Sequence, residues 1–238
     1  MKVLVYLGLD KGRCLNEYIP LYDKIIGIEA RPWNARMLQE RYAQFDHVEI
    51  IEGAVYDTTE EYMNFYVMGN PTIPSHTGQS SSLGKIRDDS QYNTCQPDSQ
   101  TTNPDNKMTV KEVIRVKTLN LMNILKERNI EHIHTYVSDI EGADLTVLKT
   151  IEPFIKNKKI DYLQMETEED WIGEQVHDDL NTNKQAAIIS YLKDYVIFKL
   201  QQGNYGPQIG KKGFEGRYVH RDVYFKLPHL PDIHHLHE

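Results

Sequence analysis

The chain has 238 residues, 39% hydrophobic and 26% charged, with a formal net charge of −8. That composition describes one globular domain with a sizeable core, and the acidic balance argues against nucleic acid as a main partner. No stretch approaches 18 apolar residues, so no transmembrane helix is expected, and Cys14 and Cys95 alone cannot build a disulfide framework or a thiolate zinc site.

The amino terminus, "MKVLVYLGLDKG", reaches glycine and charge too soon for a signal peptide. A reducing, cytoplasmic setting is the expectation, with no membrane partner. "KVLVYLG" (2–8) reads as a buried strand, and a helical stretch follows with Leu15, Ile19 and Tyr22 inward. "KIIGIEA" (24–30) is a second strand. Pro32 opens a helix carrying Met37, Leu38, Arg41 and Tyr42. "VEIIEGAVY" (48–56) is a third strand and "EEYMNFYVM" (60–68) a fourth.

From about 69 to 109 the composition turns to Gly, Pro, Ser, Thr, Asn, Gln and Asp, which marks a loop insertion. "VIRVKTLNLMNILKERN" then gives a strand and a helix, "HIHTYVSD" a strand, "GADLTVLKTIEPFI" a helix and "IDYLQMETEED" a strand. A helix over 184–193 precedes "YVIFKL" and "RDVYFKL", two alternating strands that read as antiparallel. The histidine-rich end, 228–238, reads as a mobile tail.

Strands alternating with helices imply a mostly parallel sheet covered on both faces, with ligands at the carboxyl ends of the strands. Seven strands with a terminal antiparallel pair form the arrangement of the class I methyltransferase (Rossmann-like) fold. The expectation is therefore a single domain over 1–238, carrying the insertion and the tail.

Residues at the strand ends are the first candidates. Gly8 and Gly12 follow the first strand, where the chain turns tightly. The dinucleotide fingerprint is absent because Asp10 takes its second glycine position, which weighs against an NAD(P)-dependent oxidoreductase. Asp10 could instead meet an ammonium group. Glu29 closes the second strand about twenty residues on, where an acid accepts hydrogen bonds from both ribose hydroxyls. Gly53 and Ala54 leave room for a flat adenine, although small residues there also serve packing.

"IGIEARPWNARMLQERY", "VEIIEGAVYD", "SSSLG", "VKTLNLMNIL" and "YVSDIEGADLTVLKTI" occur in the order typical of the FkbM family. The chain resembles those S-adenosylmethionine-dependent O-methyltransferases from about Val3 to Glu168, most specifically in the D-x-E-G-x-[ED] block at Asp139 to Asp144. The resemblance implies S-adenosylmethionine as cofactor, with contacts among Tyr6, Gly8, Asp10, Gly12, Glu29, Ala30, Gly53, Ala54 and Asp139. Departures are Tyr6 where the family usually has an acid, Leu9–Asp10 in place of Ala–Asn, Ala30 where proline is common, and Asp144 in place of glutamate.

Methyl transfer to an alcohol requires the hydroxyl proton to be removed and the partners to be positioned. Asp139 and Glu141 are the candidate catalytic groups, as base or as orienting acceptors. A divalent cation held by Asp139, Glu141 and Glu166 is the alternative, and Asp144 reads as an acid in a first helical turn. For the acceptor, a sugar, glycan or similar polyol, the candidates are Ser81, Ser82, Glu166, Glu168 and Trp171, with His177 nearby in sequence and His220 as a second-choice base. A methyltransferase fold serving only as a binding module is the non-enzymatic alternative.

Overall fold

The computed structural model describes residues 1–69, 81–84, 109–168, 184–202 and 220–233. In chain order the elements are β1 (Val3–Leu7), α1 (Leu15–Tyr18), a 3-10 turn (Ile19–Leu21), β2 (Lys24–Glu29), α2 (Pro32–Tyr42) and β3 (Val48–Glu52). They continue with β4 (Ala54–Val55), β5 (Tyr62–Gly69), β6 (Thr109–Leu119), α3 (Leu121–Glu127), β7 (Ile133–Ser138) and α4 (Asp144–Thr150). Last come α5 (Glu152–Lys156), β8 (Ile160–Glu168), α6 (Gln185–Tyr191), β9 (Val196–Gln202) and β10 (His220–Lys226).

Seven strands form one sheet in the order β3–β2–β1–β7–β8–β10–β9. The pairs from β3 to β8 are parallel. β10 inserts between β8 and β9 and runs against both, the terminal antiparallel feature expected from the sequence.

Helices cover both faces because the strands alternate. Val3, Val5 and Leu7 of β1 join the core formed with α3, α4 and α5 through Leu121, Leu125, Val147, Leu148 and Phe154. Leu4 points the other way, into a second core with Leu15, Tyr18, Leu38, Val137, Tyr162 and Tyr224. β2 is buried over five of its six positions, as a central strand covered on both sides should be. Local chemistry starts the helices: Pro32 sits in the first turn of α2, and the Asn120 side chain accepts from the Asn123 N–H (3.0 Å) to cap α3.

The structure departs from sequence expectation in places with clear causes. "VEIIEGAVY" is two strands, split at Gly53, where φ is +146°. β3 stays in the large sheet while β4 joins β6 and β5 in a three-stranded sheet. A Cβ on Gly53 would lie 2.7 Å from Leu119 Cδ1 and 2.9 Å from the Lys117 carbonyl oxygen, so crossing β6 requires glycine here. The expected helix after Asp144 breaks at Ile151 into α4 and α5, with Pro153 in the first turn of α5. Within the tail, 228–233 is pinned: the Tyr162 hydroxyl donates to the Pro231 carbonyl (3.0 Å), and Lys226 reaches the Leu230 carbonyl and Asp232 (both 2.6 Å). Among the described residues no helix is long and apolar enough to cross a membrane.

Candidate active site at the strand ends

Strand order reverses between β1 and β7, the switch point where ligands enter sheets of this type. Register places the candidates there: Leu7 lies opposite Ser138, Ser138 opposite Met165, and Glu166 opposite Asp222. Alternation carries Asp139, Glu166 and Asp222 onto the same face as Val137, Tyr162 and Tyr224. Asp139, Glu141 and Glu166 each bring a carboxylate oxygen within 4.8 Å of the other two. That spacing suits either a shared proton or one hard divalent ion.

The corner carrying Asp139 is tightly built. Gly8 (φ +81°) approaches Asp139 so closely that a Cβ would lie 1.8 Å from its carbonyl oxygen, and the Asp139 N–H donates to the Leu7 carbonyl at 3.2 Å. Asp144 is fully buried; its carboxylate accepts from the Ser138 hydroxyl (2.5 Å) and the Ile140 N–H (3.2 Å). It thus fastens both sides of Asp139 as well as beginning α4. Glu141 holds a left-handed backbone (φ +54°) followed by Gly142 at +103°, and such conformations persist only where surroundings enforce them. The buried Ser82 hydroxyl donates to the Glu141 carbonyl at 2.8 Å and accepts from the Gly84 N–H at 3.2 Å. Ser81 accepts from the Met68 N–H (3.0 Å). Both serines therefore tie this loop to the corner and to β5.

Asp139 keeps an opening to solvent although protein crowds its other sides. That crowding pushes its pKa well above the carboxylate range, and the charges of Glu166, Asp222 and Asp144 with a hydrogen bond to Glu166 push it further. Burial likewise raises the Tyr6 phenol, with Asp139 adding to the effect, so Tyr6 presents a neutral hydroxyl beside the acids. Gln164, 7% exposed, donates from Nε2 to Asp222 Oδ2 (3.1 Å).

At the neighbouring strand end, the buried Glu29 carboxylate is held from three directions. Its Oε1 accepts from the Arg31 N–H and Nε–H (3.0 Å each), and its Oε2 accepts from the Asp10 N–H (2.8 Å). Arg31 also pairs with Asp10, which accepts from Asn34 Nδ2 as well (3.3 Å). Burial raises the Glu29 pKa more than Arg31 and the two backbone N–H groups lower it. Asp10 itself sits at φ +48°. Gly12 turns under α2 with its Cβ direction toward Leu38; Ala30 is half-buried and Ala54 buried.

Arg31, Asp222 and Gln164 join the site without having been singled out from sequence. Arg31 follows the acid at the end of β2, and Asp222 alternates with Tyr224 in "RDVYFKL", so both signals were present but needed register to be read. For Glu168 and His220 only the backbone positions in β8 and β10 are described, and Trp171 and His177 lie outside the described residues.

A sheet of this order, parallel from β3 to β8 and with β10 antiparallel between β8 and β9, is that of a class I S-adenosylmethionine-dependent methyltransferase. The methyltransferase FkbM domain model matches residues 23–197, nearly three quarters of the chain, and the chain belongs to that family. No curated protein matches it. Among solved structures, the methyltransferase FkbM from Methylobacillus flagellatus KT is 14% identical with a TM-score of 0.48, covering 94% of this chain and 43% of its own. Aeropyrum pernix fibrillarin, solved with S-adenosyl-L-methionine, is 11% identical (TM-score 0.44; 94% and 66% covered). M. capricolum TrmK, solved with S-adenosyl-homocysteine, is 8% identical (TM-score 0.39; 97% and 66% covered). The chain thus spans between 43% and 66% of these proteins' lengths. The family match is to methyltransferases, not to the NAD(P)-dependent oxidoreductases of the alternative reading.

Proposed function

We propose that this methyltransferase transfers the methyl group of S-adenosylmethionine to a hydroxyl of a sugar, glycan or similar polyol. The carrying observation is the convergence of Asp139, Glu141 and Glu166, oxygens within 4.8 Å, at the carboxyl ends of β7 and β8. Three carboxyl groups that share a proton still offer more acceptors than donors, so the favoured ligand brings several donors, as a polyol does. On the cofactor side, the Glu29 carboxylate suits a nucleoside diol, and the close-packed Gly8 turn leads from it to Asp139. Bound there, S-adenosylmethionine would supply a methyl group already activated on a sulfonium.

In this reading the chain's own acids do the remaining work. Asp139 takes the hydroxyl proton as the new O–C bond forms; the crowding and acidic neighbours that raise its pKa strengthen it as a base in its ionised form. Glu166 shares that proton, and Glu141 orients a neighbouring hydroxyl. Tyr6 supplies a hydroxyl to the methionine end, while Asp10 is engaged with Arg31. Ser81 and Ser82 act by holding the loop rather than by touching the acceptor. Glu168 and Trp171 remain acceptor contacts of the proposal. The net charge of −8 favours an uncharged or cationic acceptor over nucleic acid, and the free thiol of Cys14 accords with a cytoplasmic setting.

Labelled methyl donor with a panel of glycans and polyols tests this reading. Label on oxygen, lost in Asp139→Asn, supports it; label on nitrogen, or an unchanged rate in Asp139→Asn, refutes it. S-adenosylhomocysteine binding without transfer to any acceptor would favour a binding module. Chelation should leave the rate unchanged; a loss restored by Mg2+ would assign the three carboxylates to a metal instead.

A further inference from the structure

A carboxylate has about four lone-pair sites, two on each oxygen. In Glu29 both sites of Oε1 are taken, by the Arg31 N–H and the Arg31 Nε–H, and one site of Oε2 is taken by the Asp10 N–H. One acceptor site is left, on Oε2. A vicinal diol needs two, one on each oxygen. The two backbone donors are held by the turns after β1 and β2, whereas the Arg31 side chain can swing away by rotation alone.

Withdrawing its Nε–H opens one site on Oε1 and leaves one on Oε2, the pair a diol requires. Arg31 is 4% exposed and its far end pairs with Asp10. The Asp10 side chain is 39% exposed, so that end of the guanidinium has a route outward. We infer that Arg31 is a positioning residue that occupies the diol site of Glu29 and is displaced by the cofactor's ribose. The clasp keeps a buried carboxylate paired while the site is empty. It also makes nucleoside binding an exchange of one charged hydrogen bond for two hydroxyl bonds, which lowers affinity and selects for ligands bearing both hydroxyls. The inference rests on the cofactor reading above.

Calorimetry with S-adenosylhomocysteine on the full chain tests it, together with the arginine Nε–H signal by NMR, assigned through its loss in Arg31→Lys. Lysine keeps a cation beside Asp10 but lacks the forked donor into Glu29; Arg31→Met is the second variant if lysine recreates the bond. The Arg31 Nε–H should be protected from exchange without ligand and lose protection on binding. Arg31→Lys or Arg31→Met should bind about 10-fold tighter, the worth of roughly one charged hydrogen bond. Binding to the variants with none to the parent chain would support the clasp more strongly still. Ligand binding with the Nε–H still protected, and variants no tighter than the parent, would overturn the clasp while leaving the cofactor reading intact. Absence of binding in all the proteins would overturn both.

Discussion

Gly8→Ala is the sharpest perturbation of this site. The new methyl would lie 1.8 Å from the Asp139 carbonyl oxygen and 2.8 Å from its carbon, where ordinary contact begins near 3.4 Å. The strand ends must therefore part by roughly 1.6 Å, the difference between those contact distances. That movement pulls apart the bond from the Asp139 N–H to the Leu7 carbonyl. The left-handed φ of +81° adds about 1–2 kcal/mol for any residue with a Cβ, and overpacking of this kind about 1–3 kcal/mol. The expected loss is about 2–5 kcal/mol, a fall of roughly 5–15 °C in melting temperature for a chain of this size.

Gly12→Ala is the matched control. Its φ is also left-handed, at +64°, but its Cβ would meet the tip of the Leu38 side chain at 2.5 Å, and a side-chain tip yields more readily than backbone. Thermal unfolding of the two variants separates backbone strain from the close approach to Asp139. Because displacement of about 1 Å at a reacting group can lower a rate about 100-fold, methyl transfer by folded Gly8→Ala should fall by about that factor. Equal stability losses in the two variants, or full activity in Gly8→Ala, would refute the account of how Asp139 is positioned.

Two further outcomes follow from the same corner. The Asp139 pKa is raised by burial first and then by its acidic neighbours, so between its unfolded value near 3.9 and its folded value the native state holds the extra proton. The stability linked to this group is complete below about pH 4 and is lost as pH rises through the folded pKa. Asp139→Asn should then be more stable than the parent chain at neutral pH, with the gap closing toward pH 4 in urea titrations; a gap that widens on acidification would contradict this. Ser82→Ala removes the donor to the Glu141 carbonyl and the acceptor of the Gly84 N–H, at about 1–2 kcal/mol. Amide exchange over 140–142 should quicken, and unchanged exchange would show that the serine does not hold the corner.

The strands, the helix opened by Pro32 and the acids closing β2, β7 and β8 were legible in the sequence, because they depend on local signals: alternation, a proline in a first turn, glycines after apolar runs. Glu29 stood out by its place after "IIGI". Its partnership with Arg31 did not, since an arginine two residues past a strand carries no local mark of where its side chain will fold. Asp144 read as a residue favouring the dipole of its helix; its bonds to Ser138 and Ile140 appear only when the loop closes back on it. Gly53 and Ala54 read as room for a base or as packing, and only the structure shows that the missing side chain at Gly53 makes way for β6.

What the sequence determined by itself was the kind of fold and the inventory of acids, since periodicity and turn chemistry act over a few residues. Tertiary structure alone decided which acids meet. Asp139, Glu166 and Asp222 are separated by tens of residues, and only the register of β7 with β8 and of β8 with β10 sets them side by side. Once they are adjacent, the charges of Glu166 and Asp222 push up the pKa of Asp139, an effect that Asp139 would not feel in an extended chain.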